Sequence, residues 1–305
     1  MPKAKSSIAS RIFSGRYIYL MMLPGMAYFI VFKYAPMWML GIAFQDYNPF
    51  VGMAGSSWVG LKHFISLFQD SYFFIMLRNT LMINILNLIF YFPVPIVLAL
   101  LLNEVRHEKF KKINQTIFYF PHFLSWVIVA SLTYFLLSVD VGAINKALST
   151  MGMPTVSFLS NPKYFWIILT IQSIWKESGW GTIVFLAAIA SVDMEQYEAA
   201  VIDGAGRFKR ILCITLPAIM PTVITLLLLQ LGNIASVGFE QVLLMSNPLV
   251  NSVAEVFDTY SYRIGIQQSN ISFGTAVNIF KGLVGFAFVW TSNRAVKKLG
   301  FEGIY

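Results

Sequence analysis

The chain has 305 residues, of which 57% are hydrophobic and only 12% charged, and its mean hydropathy is +0.67. Soluble domains carry about 25% charged residues, so this balance excludes an ordinary soluble protein and places the chain in the membrane class. The formal charge of +8 does not point to nucleic acid, because the cations cluster just outside apolar runs.

Apolar runs near 17–44, 74–102, 117–139, 164–190, 218–238 and 276–292 predict six transmembrane helices. Each is close to or above the roughly 20 residues that cross about 30 Å of hydrocarbon. The first run is broken by Pro24–Gly25, continues past Lys33 and lacks a small-x-small cleavage pattern, so it reads as a retained helix rather than a cleaved leader. Segment 45–72, with Pro49, Gly52, Gly55, Gly60 and Trp58, suits a folded external loop. Pro93 and Pro95 fall inside the second run and predict a kink that neighbouring helices satisfy. Segment 239–275 is a second long external stretch, with a short helix expected near 253–262. Both external segments suit either docking of a partner or closure of the outer end of the bundle.

The basic clusters are Lys3, Lys5, Arg11 and Arg16; Arg106, Lys109, Lys111 and Lys112; Arg207, Lys209 and Arg210; Arg294, Lys297 and Lys298. They fall on one side at every crossing, which predicts an all-α six-helix membrane bundle with both termini cytoplasmic. The other side keeps Lys62, Lys146, Lys163 and Arg263.

Between the fourth and fifth runs lies a compact cytoplasmic feature. Asp193 and Gln196 make a capping-box-like start for a helix at Met194. Met194, Tyr197 and Val201 form a narrow apolar stripe, and Asp203–Gly204 supplies a helix stop. Ala199 and Ala200 let another surface approach the backbone, and Pro217 opens the next span. Such a loop is either an ordinary interfacial helix or a knob that fits a groove on a cytoplasmic partner.

No chemistry of the chain's own is evident. The sequence lacks a Gly-Lys dipeptide, hence a Walker A loop, and has no His-Glu-x-x-His or Gly-x-Ser-x-Gly pattern. Cys213 is the single cysteine, and His63, His107 and His122 are too scattered for a zinc spacing, so no metal site or catalytic residue is assigned. Lys176 and Glu177 are successive helical residues about 100° apart and are not expected to face each other.

Polar groups inside spans mark either helix interfaces or a pathway. Asn84 and Asn87, with Thr80 and Tyr91, share one face of the second span; Gln172 and Lys176 share a stripe of the fourth beside Trp175; the fifth offers Gln230 and Asn233. Amides and aromatic rings suit a sugar, whose hydroxyls need hydrogen bonds while its carbon faces pack on rings. Lys176 could instead meet Glu177 of a partner subunit or snorkel outward. Gly232, Ser236, Gly282 and Gly285 read as helix-packing positions.

Residues 198–217 read EAAVIDGAGRFKRILCITLP. EAA, three residues, Gly, nine residues and then Ile-x-Leu-Pro resembles the signature of permease subunits of binding-protein-dependent ABC importers. Glu198, Ala199, Ala200, Gly204, Ile214, Leu216 and Pro217 match it without a gap. Asn79-Thr80, Trp175-Lys176-Glu177 and DTYSYRIG at 258–265 resemble the sugar importers, more narrowly those for complex oligosaccharides and polysaccharide fragments. The resemblance implies a type I importer permease fold in the cytoplasmic (inner or plasma) membrane. It implies an N-terminal part at 1–74, a five-helix core at 75–296 with a coupling helix near 193–212, and a tail at 297–305. It also implies a second homologous permease, two cytoplasmic ATPase subunits that alone bind ATP and Mg, an extracellular solute-binding protein and an oligosaccharide substrate. Glu198, Ala199, Ala200, Asp203 and Gly204 would then be the ATPase-coupling residues. Two rival readings are an ion-gradient-driven transporter, which calls for intramembrane carboxylates, and a non-transporting membrane scaffold.

Overall fold

A computed structural model of the chain describes residues 15–301 and residue 303. Lys3, Lys5 and Arg11 of the first basic cluster lie outside the described residues. Among the described residues four helices are long and apolar enough to cross a membrane: α1 at Arg16–Phe44, α3 at Phe73–Asn103, α9 at Arg207–Gly232 and α12 at Ile271–Lys298. Between α1 and α3, strands Gln45–Asp46 and Ser57–Trp58 pair antiparallel, followed by α2 at Lys62–Gln69. Helix α2 and the last turns of α1 pack against α12.

The third expected span is not a straight helix. Residues 117–139 divide between α4 at Glu108–Phe123 and α5 at Trp126–Leu137, which meet at 100°. Pro121 lies in the tight last turn of α4, Leu124 is extended, and Ser125 starts α5 by accepting the Ile128 N–H. A proline and a new cap within five residues end one helix and begin another. Together α4 and α5 count as one crossing only as a bent pair, giving up to five apolar spans among the described residues.

After α6 at Ala143–Thr150, the fourth expected span is α7 at Pro162–Ala190, a single helix of 29 residues capped by Asn161. At 1.5 Å per residue it extends about 43 Å, enough to cross, yet its centre carries Lys176 and Glu177 and it falls short of the apolarity of the others. After it come α8 at Met194–Ile202, then α9, α10 at Phe239–Met245 and α11 at Phe257–Tyr262.

Prolines shape the spans through π turns rather than sharp kinks. Five-residue π turns at Ile30–Tyr34, Asn87–Tyr91 and Ile211–Thr215 lie just before Pro36, Pro93 and Pro217. Proline lacks an N–H and its ring clashes with the carbonyl four residues back, so a wider turn upstream relieves the helix without breaking it. Pro217 therefore opens the regular part of α9, while the helix itself begins ten residues earlier at Arg207.

Among the described residues, packing is split into three apolar clusters. Two surround α11 and the first half of α3: Leu67, Met76, Phe257 and Phe273 in one, Ile83, Leu169, Val242 and Val256 in the other. The third joins α3, α7 and α9 through Ala99, Phe185, Ile189 and Ile219. The α9–α12 contact depends on glycine, since a Cβ on Gly285 would lie 2.2 Å from the Gly232 carbonyl oxygen. Gly282 has open space beside it and Ser236 lies beyond the end of α9, so the packing role expected of those two is not seen. In contrast to α12, the central window of α1 buries nothing against the rest of the chain.

Candidate coupling surface and translocation path

Helix α8 begins as the sequence indicates, with Asp193 as N-cap, but the cap closes differently. Asp193 Oδ1 accepts the Glu195 N–H at 3.0 Å, and Gln196 contributes through its backbone alone. The far end closes as a Schellman motif around Gly204, whose φ is +75°. Gly204 N donates to the Val201 carbonyl (3.0 Å) and Ala205 N to the Ala200 carbonyl (2.8 Å). A side chain at Gly204 would force a left-handed conformation that costs about 1–2 kcal/mol.

This cap turns the chain back so that α8 stands as a short knob beside the start of α9. Glu198, Ala199, Asp203 and Gly204 are exposed and Ala200 is half-buried. The apolar stripe expected on α8 does not face the bundle. Met194 and Val201 are exposed, Ile202 is 86% exposed, and only Tyr197 turns inward, its hydroxyl 2.9 Å from Thr215 Oγ1. A helix that leaves Met194, Val201, Ile202 and nearby Phe208 uncovered presents an apolar contact surface with Glu198 beside it.

The residues expected along a path separate into two groups. Asn84, Gln172 and Lys176 are buried in bonds between helices of this chain. Asn84 Nδ2 donates to the Ile234 and Ser236 carbonyls at 3.0 and 3.1 Å, holding the segment that leaves α9. Gln172 Nε2 donates to Thr133 Oγ1 (2.7 Å), and its Oε1 accepts from Gln241 (3.1 Å), linking α5, α7 and α10. The others remain more open: Trp175 is 45% exposed, Gln230 is half-buried, and Asn233 is exposed at the end of α9. Asn87 is half-buried, with an Oδ1 atom that finds no partner among the described residues.

Lys176 is held within its own chain. Its Nζ donates to the His122 carbonyl (2.8 Å), meets Glu177 Oε1 (3.0 Å) and lies 5.2 Å from the Trp126 ring centre. Glu177 Oε2 reaches His122 Nδ1 at 2.7 Å, and the His122 ring stacks on Trp180 at 4.6 Å. This corrects one expectation. The tips of Lys176 and Glu177 do converge, because both side chains are long enough to bend toward the α4–α5 elbow, and within this chain Lys176 meets its own neighbour. A buried lysine so placed fastens the elbow to α7.

Sequence reasoning missed the ion pairs around α11. Lys281 on α12 binds Asp258 of α11, whose second carboxylate oxygen accepts the Val237 N–H at 2.9 Å. Glu255 pairs with Arg263 at 2.9 Å and accepts the Thr259 hydroxyl, and Asn79 donates to the Glu255 carbonyl at 2.9 Å. Burial and the Asp70 carboxylate that its hydroxyl meets push Tyr260 well above the ordinary phenol range. A cavity of about 300 Å³ is lined here by Phe239, Asp258, Ser261, Tyr262, Thr275 and Asn278, none of them among the expected path residues. The sequence signal for this region is the 258–265 segment, which carries Asp258, Tyr260, Tyr262 and Arg263 together.

Residues 91–296 match the family described as the binding-protein-dependent transport system inner membrane component. The chain belongs to this family. It is accordingly a multi-pass transport permease and not an enzyme. It is 52% identical over 295 residues to the polygalacturonan/rhamnogalacturonan transport system permease protein YteP of Bacillus subtilis (strain 168), covering 97% of this chain and 92% of that one. It is 51% identical over 290 residues to Protein LplB of the same organism, covering 95% and 91%. A chain from a crystal structure of a bacterial alginate ABC transporter, in complex with an alginate pentasaccharide-bound periplasmic protein, matches with a TM-score of 0.87. That chain is 39% identical, and the match covers 98% of this chain and all of the other.

Proposed function

We propose that this chain forms half of the translocation path of an ATP-driven importer for an oligosaccharide, with α8 as the seat of a separate ATPase. The observation that carries the coupling part is the knob itself. Its helix is closed by the Gly204 cap, tied inward through Tyr197, and otherwise offers Glu198, Ala199, Ile202 and the Asp203–Gly204 turn outward. The full-length likeness to permeases named for polygalacturonan/rhamnogalacturonan and alginate supports a polysaccharide-fragment substrate.

In this reading the protein crosses the cytoplasmic membrane six times with both termini inside, α7 and the bent α4–α5 pair each counting as one crossing. The segment at 1–74, the core at 75–296 and the tail at 297–305 keep the roles the resemblance implies. The bare surface of α1 then rests on lipid or on a second, related permease. Two ATPase subunits supply ATP and Mg, and a solute-binding protein delivers sugar to the outer end. The glycan contacts Trp175, Asn87, Gln230 and Asn233, while Asn84, Gln172 and Lys176 set the helix positions.

An ion-gradient mechanism has less to work with, because Glu177 and Asp258 are both engaged by lysines. The test is uptake by cells expressing the complete importer, assayed against a glycan panel with its solute-binding protein. Saturable, ATP-dependent uptake of a polysaccharide fragment is expected. Uptake that persists without the ATPase and collapses with the proton gradient would overturn the proposal.

A further inference from the structure

Beside the knob lies a cavity of about 390 Å³ between the end of α3 and the start of α9. Arg106, which follows α3, and Arg207 and Arg210 of α9 line it together with Glu104 and Tyr197. None of the three arginines has a salt bridge or a side-chain hydrogen bond among the described residues, and Arg210 Nε is buried without a partner. Three guanidiniums against one carboxylate leave a net positive wall.

We infer that this cavity binds the phosphate headgroup of an anionic phospholipid, and that the bound lipid braces the coupling helix. Guanidinium forks match phosphate oxygens in paired hydrogen bonds. A free phosphate offers the same oxygens, but Ile189 and Val192 make part of the cavity apolar, which suits the glycerol end of a lipid. The position supports this too, since basic side chains next to apolar spans lie at the headgroup level. A ligand held from both sides would join the second span to Tyr197 on α8, whose hydroxyl already meets Thr215. Lipid charge would thus tune how firmly the knob transmits force. The inference rests on the proposed cytoplasmic placement of α8.

The test uses the purified importer with all its subunits, in nanodiscs of phosphatidylcholine with or without phosphatidylglycerol. Bound phosphatidylglycerol is counted by native mass spectrometry, and ATP hydrolysis stimulated by the sugar-loaded binding protein is measured in parallel. Arg106→Gln and Arg207→Gln are the main variants, because both side chains are exposed; Arg210→Lys keeps the charge but loses the fork. Each glutamine is expected to lower phosphatidylglycerol retention about fivefold. The double variant is expected to lose the stimulation that phosphatidylglycerol gives the wild type. Equal retention by wild type and variants would overturn the inference, as would stimulation in neutral discs by inorganic phosphate alone. If hydrolysis is unresponsive in every lipid, the importer reading fails, while the retention count still decides the lipid site.

Discussion

The two ends of this molecule handle polar groups in opposite ways. Around α11 the buried polar groups are answered from within the chain: Lys281 by Asp258, Arg263 by Glu255, and the Asn79 amide by the Glu255 carbonyl. At α8 almost nothing is answered, and acidic, apolar and basic side chains stand uncovered around one internal tie, Tyr197 to Thr215. A closed polar network in a low-dielectric setting stiffens and fixes a single arrangement. An open surface of mixed chemistry stays incomplete until something covers it. The contrast sets a closed, stiff frame at one end against an open loop at the other, and the proposed function makes that loop the part that meets another protein.

The largest effect is expected where that frame is broken. Lys281→Met leaves the half-buried Asp258 carboxylate without its cation, a loss of about 2–3 kcal/mol. Thermal unfolding of the detergent-solubilised assembly should show it. Adding Asp258→Leu should restore only part of the stability, because the Val237 N–H then lacks an acceptor. A silent Lys281→Met would remove the distinction between the two ends.

Next is Gly204→Trp, which is expected to leave the chain in the membrane but uncouple uptake from ATP hydrolysis. Membrane content by immunoblot and sugar uptake are the two readouts, and normal uptake counts against the knob. Tyr197→Phe removes one hydrogen bond, worth about 1 kcal/mol. It should raise amide exchange across α8 and weaken coupling partially, with the outer half unchanged.

The smallest effect is expected at the exposed pair of Lys62 and Asp46. Asp46 lies below the ordinary carboxylate range, first because the Lys62 side chain hydrogen-bonds to it. Its contribution is therefore present above the normal carboxylate pKa and is lost as pH falls through the lowered value. Asp46→Asn should cost about 1 kcal/mol or less at pH 7. His63 Nε2 also lies 3.1 Å from Asp46 Oδ1, so the variant loses both partners, and the difference from wild type should vanish in acid below about pH 4.

What the sequence made legible follows the range of the interactions. The start of α8 at Met194, its stop at Gly204 and the apolar runs are local features, set by caps and composition within a few residues. The bend between α4 and α5 was partly visible, as Pro121 sits inside the expected third span, but prolines at 93 and 217 are absorbed by π turns and this one is not. Residue type does not distinguish those outcomes; the neighbours do. The pairing of Lys281 with Asp258 spans 23 positions, and that of Lys176 with the His122 carbonyl spans 54. Periodicity carries no record of such contacts. For the same reason, the sequence does not show that Asn84 and Gln172 bond to neighbouring elements of the chain.

One cross-linking experiment addresses the proposed seat of the ATPase most directly. With Cys213 changed to Ser, a cysteine is placed at Ile202 on the knob, and another at Tyr134 on α5 as a control, each in membranes holding the complete importer. Ile202→Cys is predicted to cross-link to the ATPase subunit, with a yield that changes when ATP is added, while Tyr134→Cys gives no such product. Active importer in which Ile202→Cys never reaches the ATPase would contradict the account.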